Sequence, residues 1–529
     1  MLLDFRGAGI SRFVIAVLLL ASLAVSPCLS AGVDPSRSLP PRDSDDLSPM
    51  SPADRLLIRA MIPDLPTSGP YQYPNWAPRY VEWLKHGVQA GTGDAGADFV
   101  VTSNVNVSND PVVQSETYIA ADFYDPRFVI AASNDFSGAQ RTYSSSDAGK
   151  SWTTIKMPTG GFNFQSDPGV AFDSLGNAYT CTLGINPGVR LIVSKSTDRG
   201  RTWGVPVEVP GGANNDKELM SIDSQATSPC RDNIYLGWDV PGQAMKFSRS
   251  TDGGATYSNP VSIDKAQGIG ASLSSGPGGE VYVAWNALDK TIKGARSLDC
   301  GATFEPAFVI GPTNQPYDIG IPGMCNRRAL VYPALDVDRS FGCRSGWVYV
   351  AWVDSVAPGN CKVASCPATQ TCSTDIFFSR SSDRGATWTA PKRANQDVPL
   401  TDQFNPWLAT DPADGSVWIA WDDSRNDPNR QSCDIYITRS VDGGETFAAD
   451  TRVTTEPTNE SGAGAEIFNQ WGDYNGLAAS SGKIYAIWTD RRAGGTNGGK
   501  EEAYVGTIEA QADGCPVGNL DGGYPIGLN

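Results

Sequence analysis

Histidine is nearly absent: His86 is the single copy in 529 residues. No Ser-His-Asp triad, Cys-His dyad or multi-histidine zinc site can be assembled without it. It lies in a Pro- and Ser-rich stretch and reads as a surface residue. Basic residues are also in deficit, with 41 Lys and Arg against 58 Asp and Glu and a net charge of −17. A phosphate backbone is gripped by clustered cations, so nucleic acid is excluded as the main partner. After residue 31 no apolar run reaches the roughly 18 residues that a membrane span needs, so no membrane partner is expected of the mature chain. Composition leaves the oligomeric state open.

The long apolar run that does exist is at the start. Arg6 and Arg12 precede an uncharged stretch from Phe13 to Val25, and small residues follow up to Ala31. Residues 1–31 read as a secretory signal, which makes the mature chain secreted, extracellular or periplasmic. Residues 32–97 form a Pro/Ser-rich linker with two short helical stretches, Arg55 to Met61 and Tyr80 to Leu84. Residues 511–529 form a C-terminal tail. Without Cys28, ten of the 11 cysteines remain, an even number in an oxidising compartment, so up to five disulfides are expected. Cys361, Cys366 and Cys372 share one insert and read as loop staples, since their spacing matches no zinc pattern.

What organises the chain is a motif written six times, Ser-x-Asp-x-Gly-x-Ser/Thr-aromatic. Its aspartates are Asp147, Asp198, Asp252, Asp299, Asp383 and Asp442, spaced by 51, 54, 47, 84 and 59 residues. The aspartate can fold a turn around itself by accepting backbone N–H groups, and the glycine suits a positive φ. The closing aromatic can drop into a core. Between the copies run segments such as Glu280-Val281-Tyr282-Val283-Ala284-Trp285, which have strand composition. Each unit therefore reads as strands A, B, C and D, with the Asp motif as the C–D turn.

Seven A–B pairs begin near residues 116, 167, 218, 268, 328, 403 and 471. The expected fold is an all-β propeller of four-stranded blades over 98–510, seven blades rather than the alternative six. The seventh unit lacks a D strand. Residues 98–105 have strand composition and are expected to supply it, closing the ring.

At these six motifs the chain resembles the Asp-box (BNR-repeat) proteins of the sialidase-like superfamily. The resemblance implies a propeller that acts on glycans, with its ligand at the B–C and D–A end and the six motif aspartates as scaffold. It implies three possible activities: an exo-glycoside hydrolase of exo-α-sialidase type, a non-catalytic glycan- or protein-binding propeller, or a polysaccharide lyase. No cofactor is required by such chemistry. A sialidase-like site implies arginines on a carboxylate, for which Arg328, Arg425, Arg492 and Arg491 qualify by topology. It implies Tyr474 as nucleophile beside Glu218 or Glu466, and Asp135 as the acid. Asp423 and Trp471 are further substrate-binding candidates. No Phe/Tyr-Arg-Ile-Pro sequence lies near the first strand. Glu116, Asp167 and Asp473 offer hard oxygen ligands for Ca2+ as a rival chemistry.

Overall fold

A computed structural model describes residues 47–48, 73–74 and 99–510, apart from 325–326, 358–360, 362–371, 399, 461–463, 467–469 and 493–498. The signal-like segment, both linker helices, His86 and the tail lie outside the described residues. No helix occurs among those described.

Seven four-stranded antiparallel sheets follow one another along the chain. Their A strands are Gln114–Ala121, Phe164–Phe172, Asp216–Ile222, Ile269–Ser275, Pro333–Val337, Gln403–Thr410 and Gly476–Ser480. Each A strand contacts the A strand of the next blade, and the seventh contacts the first. The A strands are thus innermost, and the sheets form a closed seven-bladed propeller. All seven line one axial cavity of about 130 Å3. Phe99–Asn106 pairs with Glu502–Ala510 and completes blade 7 from the other end of the chain.

Two A strands begin five residues later than the sequence pattern suggests. Before blade 5, Ala329–Leu330 is drawn into a small separate pair with Asp318–Ile319, so pairing to the B strand starts at Pro333. Before blade 7, Gly472 has φ 75°, and a Cβ there would stand 2.6 Å from the backbone nitrogen of Glu116. The segment is held as a loop against blade 1, and the strand starts at Gly476.

The apolar core lies between the blades. Five B strands carry a fully buried tryptophan at the matching position, Trp238, Trp285, Trp352, Trp421 and Trp488, and blade 6 adds Trp418. The six Asp motifs close the C–D turns in a common way. Ser145 Oγ donates to Asp147 Oδ1 at 2.9 Å and accepts the Gly149 N–H at 2.9 Å. Asp147 also takes the amide and the hydroxyl of Ser151, at 2.9 and 2.6 Å. The same set recurs at Asp198, Asp252, Asp299, Asp383 and Asp442. These carboxylates are consumed by their own turns.

The motif glycine is needed twice over. Gly444 has φ 82°, and a Cβ there would lie 2.3 Å from the ring of Phe378 in the neighbouring blade. Gly444→Ala is expected to cost about 2–4 kcal/mol, combining left-handed strain with overpacking. Gly161 has φ 92° and nothing within 4 Å of its Cβ position. Gly161→Ala is therefore expected to cost only about 1 kcal/mol. Urea melts of the two variants check the difference, and equal losses would remove the blade-to-blade role of the glycine.

Two disulfides are fully described, Cys230–Cys300 between blades 3 and 4 and Cys361–Cys372 across the insert. Cys343 is disulfide-bonded as well. Cys181 and Cys433 are buried thiols in separate core clusters, so the expected maximum of five bridges is not reached.

Candidate functional site

The A strands share an irregularity that the sequence does not advertise. In blades 1, 2, 3, 4 and 6 the A–B register slips by a bulge at the same position. The residue two places before pairing resumes is left-handed in each: Glu116, Asp167, Lys217, Gly270 and Asn405, with φ of 52°, 57°, 42°, 73° and 47°. Glycine, as in blade 4, adopts this conformation without strain. Side chains there cost about 1 kcal/mol or more each. Bulges of this kind re-aim side chains, and strain retained with a side chain points to use of that side chain.

The re-aimed groups gather where the B–C and D–A loops meet the channel. Asn134 Nδ2 donates to Glu116 Oε2 at 2.6 Å, and Asn134 Oδ1 accepts the Asp167 N–H at 2.8 Å. One amide therefore holds two carboxylate-bearing residues of adjacent blades. Arg327 pairs with Glu116 at 3.7 Å and with Asp473. Lys217 Nζ sits 3.0 Å above the Tyr474 ring centroid and 5.5 Å from that of Tyr332, with no hydrogen-bond acceptor. Glu218 is fully buried, and its carboxylate has no partner beyond its own backbone amide. Asp216 is exposed, while Asp167, Arg327 and Asp473 are half-buried at the surface of the cluster.

Burial sets the acid–base state of this cluster. Desolvation, then the Asp167 charge, push Glu116 up to about 8, although Arg327, Lys217 and Asn134 pull it down. Burial and then Asp216 push Asp239 up to about 8. Glu218 is raised well above the ordinary carboxylate range by burial and then by Asp167. Burial lowers Lys217, against the pull of Asp167, Glu116, Glu218 and Asp239.

The residues expected for a sialidase-like site are not brought into one arrangement. Tyr474 is buried, its hydroxyl donates to the Pro168 carbonyl at 3.2 Å, and burial followed by Asp167, Glu116 and Glu218 raises its pKa. A phenol held this way is the reverse of an activated nucleophile. Glu218 is in the cluster but makes no hydrogen bond to Tyr474. Glu466 shares the connection before blade 7 with Tyr474, and its amide donates to Glu501. Asp135 is fully buried and tied to Arg141 at 2.6 Å and to the Ser137 amide.

The four arginines likewise make no common clamp. Arg328 pairs with Asp318, and Arg491 donates to the Asn459 carbonyl. Arg425 and Arg492 belong to a latch that the sequence contains twice, Trp-x-Asp-x-Arg at 421–425 and 488–492. In each copy the Trp Nε1 donates to the aspartate at 2.7 Å, and the arginine amide and guanidinium close on the same carboxylate. Each guanidinium then covers a C-strand tyrosine, Tyr436 or Tyr504, at 4.1 Å. Asp423 is therefore scaffold, and this repeat was the sequence signal for it. Trp471 is buried, with its Nε1 on the Gly323 carbonyl and its ring against Phe404, so it offers no face to a sugar.

Glu116, Asp167 and Asp473 do gather, but around an ammonium and a guanidinium. No cluster of three or more His, Cys, Asp or Glu arranged to hold a metal ion occurs among the described residues. The Ca2+ expectation finds no support among the described residues, where Arg327 pairs with Glu116 and Asp473 and Lys217 lies beside the same acids.

No protein-family model and no curated protein matches the chain. Solved structures do match. The BP39L lectin from Burkholderia pseudomallei aligns with TM-score 0.51 at 10% identity, over 76% of this chain and 98% of that one. An α-L-arabinofuranosidase from Fusarium graminearum aligns with TM-score 0.43 at 10% identity, over 76% and 98%. The NanB sialidase from Streptococcus pneumoniae aligns with TM-score 0.40 at 10% identity, over 63% and 68%. At such identities the likeness concerns the fold alone.

Proposed function

We propose that the protein is an exported propeller of the Asp-box, sialidase-like class, and that it binds a glycan at the open end of its channel. The observation that carries this reading is the set of strained bulges, which holds Glu116, Asp167 and Lys217 in one cluster. A ring needed only for packing would use glycine there, as Gly270 does. A polar, hydrogen-bonding mouth suits a polyhydroxyl ligand, and a lectin shares the fold. The signal-like N-terminus and the disulfides support export.

A second reading, glycoside hydrolysis, is favoured by one contact. Glu116 keeps its proton at neutral pH and is held by the same asparagine as Asp167. A protonated acid beside a second carboxyl group is the pairing that glycosidic cleavage employs. Tyr474 has no part in it.

The test separates function from scaffold. Asp167→Gly relieves the left-handed strain and removes the carboxylate. Retention on a glycan array is expected to disappear while the melting temperature holds or rises. A fall in melting temperature with retention unchanged would make the bulge a structural feature only. Release of reducing sugar by the wild type, lost in Glu116→Gln, would select the hydrolytic reading over binding.

A further inference from the structure

Three aromatic rings divide the channel. Tyr118 meets Trp407 edge-to-face at 5.2 Å and Tyr474 at 6.4 Å, and Trp407 lies 6.3 Å from Tyr474. Lys217 and the bulged residues stand on the Tyr474 side. The axial cavity stands on the other. Its lining comes from the second halves of the A strands and from the A–B turns, at the end of the ring where the Asp motifs lie. It is separate from the mouth to which the glycan reading applies.

One charged side chain of this cavity is poorly matched. Arg339, half-buried in the A–B turn of blade 5, lines the cavity 5.8 Å from the Phe123 ring centroid. Among the described residues its guanidinium makes a single hydrogen bond, from Nη2 to Asp336 Oδ1 at 3.3 Å, and its Nε is buried with no acceptor. Asp336 does not depend on that bond. Oδ1 also accepts the Ser274 hydroxyl at 2.8 Å and the Val337 amide at 2.9 Å, and Oδ2 accepts the amide and hydroxyl of Thr410, both at 2.8 Å. Asp336 is scaffold, and most N–H donors of Arg339 are left unused. Asp223, the other acid close to Arg339, is pushed up to about 7 by burial, so it holds its proton in mildly acidic solution. The turn aspartates Asp122, Asp173, Asp338 and Asp411 accept bonds from their own turns and do not line the cavity.

The walls are largely apolar, with Tyr118, Leu335, Trp407 and Leu477 among them. The volume, about 130 Å3, is close to the roughly 150 Å3 of an apolar cavity that takes up benzene. A guanidinium grips a carboxylate through paired N–H bonds, and such charge-assisted pairs are strongest away from bulk water. An under-bonded arginine beside apolar walls of this size suits a molecule with one carboxylate and one small ring. Inorganic phosphate would meet the arginine but leave the walls uncovered.

We infer that the axial cavity is a second binding site, for a small organic carboxylate, at the far end of the channel from the glycan mouth. The unused Nη donors of Arg339 take the carboxylate, and Tyr118 and Trp407 take the ring.

The test is calorimetric titration of the full chain at about pH 6, where a carboxylate probe is ionised. The probes are benzoate, its neutral analogue benzyl alcohol, and inorganic phosphate. Benzoate is expected to bind about tenfold or more tightly than either, a difference the size of one charge-assisted contact. Arg339→Met is expected to remove the advantage of benzoate over benzyl alcohol. Its melting temperature should stay close to that of the wild type, because Asp336 keeps its other donors. Arg339→Lys, which keeps the charge without the paired donors, is expected to recover part of the advantage. Ala409→Leu adds bulk to the cavity wall and is expected to weaken benzoate and benzyl alcohol alike. Absence of benzoate binding, equal binding of benzoate and benzyl alcohol, tightest binding of phosphate, or benzoate binding untouched by Arg339→Met overturns the inference. Retention of Arg339→Met on the glycan array is expected to match the wild type, so the two sites stand or fall separately.

Discussion

A chain that begins at residue 107 is expected to lose cooperative folding. Phe99–Asn106 is the outer strand of blade 7, and its partner Glu502–Ala510 lies some 400 residues away in sequence. Without it, Glu502–Ala510 becomes an open edge that offers unpaired N–H and C=O groups to other chains. The strand also ties blade 7 to blade 6. Phe99 meets Trp418 edge-to-face at 5.0 Å, and Asn104 bonds the Val453 carbonyl and the Thr455 amide. Losing a buried Phe alone costs about 3–5 kcal/mol. Seven ladder pairs added to that approach the whole stability of an ordinary domain, about 5–15 kcal/mol. The truncated chain should melt broadly or aggregate, as read by circular dichroism and size exclusion. A synthetic peptide of residues 98–107, added in trans, should restore a sharp transition. A truncated chain that melts at the full-length temperature would mean that the ring closes without this strand.

That closure is readable from the sequence because each of its signals is local. The Ser-x-Asp-x-Gly turn satisfies its own backbone, so it keeps its residue types in all six copies. The Val/Ile/Tyr/Trp segments mark the B strands. A seventh unit without a D strand then calls for one from elsewhere in the chain. The site is less readable for the opposite reason. Glu116, Asp167, Lys217, Gly270 and Asn405 share a backbone conformation but no residue type, and a register slip leaves no mark in composition. Topology suffices to bring the acids Glu116, Asp167, Glu218 and Asp473 near the channel. It brings Arg327 to the same rim as well, but not Lys217, which only the bulge sets among the acids. Topology also suggests a clamp of Arg425 and Arg492, because B-strand ends reach one rim. Their carboxylate partners are only two residues away in the same loops, and the tryptophan before each shows that the unit is a latch.

Stability is expected to peak in mildly acidic solution, near pH 4–5, and to fall as pH rises toward 8. Two populations of carboxyl group give this shape. The six turn aspartates are pulled below their ordinary range, Asp198 to about 2, by hydrogen bonds from their own turns that outweigh partial desolvation. What they contribute is present above the unfolded value of about 4 and is lost as pH falls through the folded one. The buried acids run the other way. Burial raises Asp173, Asp354 and Asp402 to about 6, Asp223 and Asp411 to about 7, and Glu116 and Asp239 to about 8. Between about pH 4 and those values the folded chain binds more protons than the unfolded chain, so each upward step in pH removes stability. Lys217, lowered by burial, opposes the trend, and Lys392 does so at a more exposed position. A tenfold change in proton affinity on folding is worth about 1.4 kcal/mol, and seven acids whose affinity rises about a hundredfold or more outweigh these two lysines by several kcal/mol. Urea unfolding at a series of pH values measures the slope directly. Asp239→Asn should flatten it and raise stability at pH 8, since the amide needs no charge when buried beside Asp216. A profile that is level, or that climbs from pH 5 to 8, would mean that water or relaxation within the ring lets these acids ionise at little cost, and the mouth would then carry its full negative charge at neutral pH.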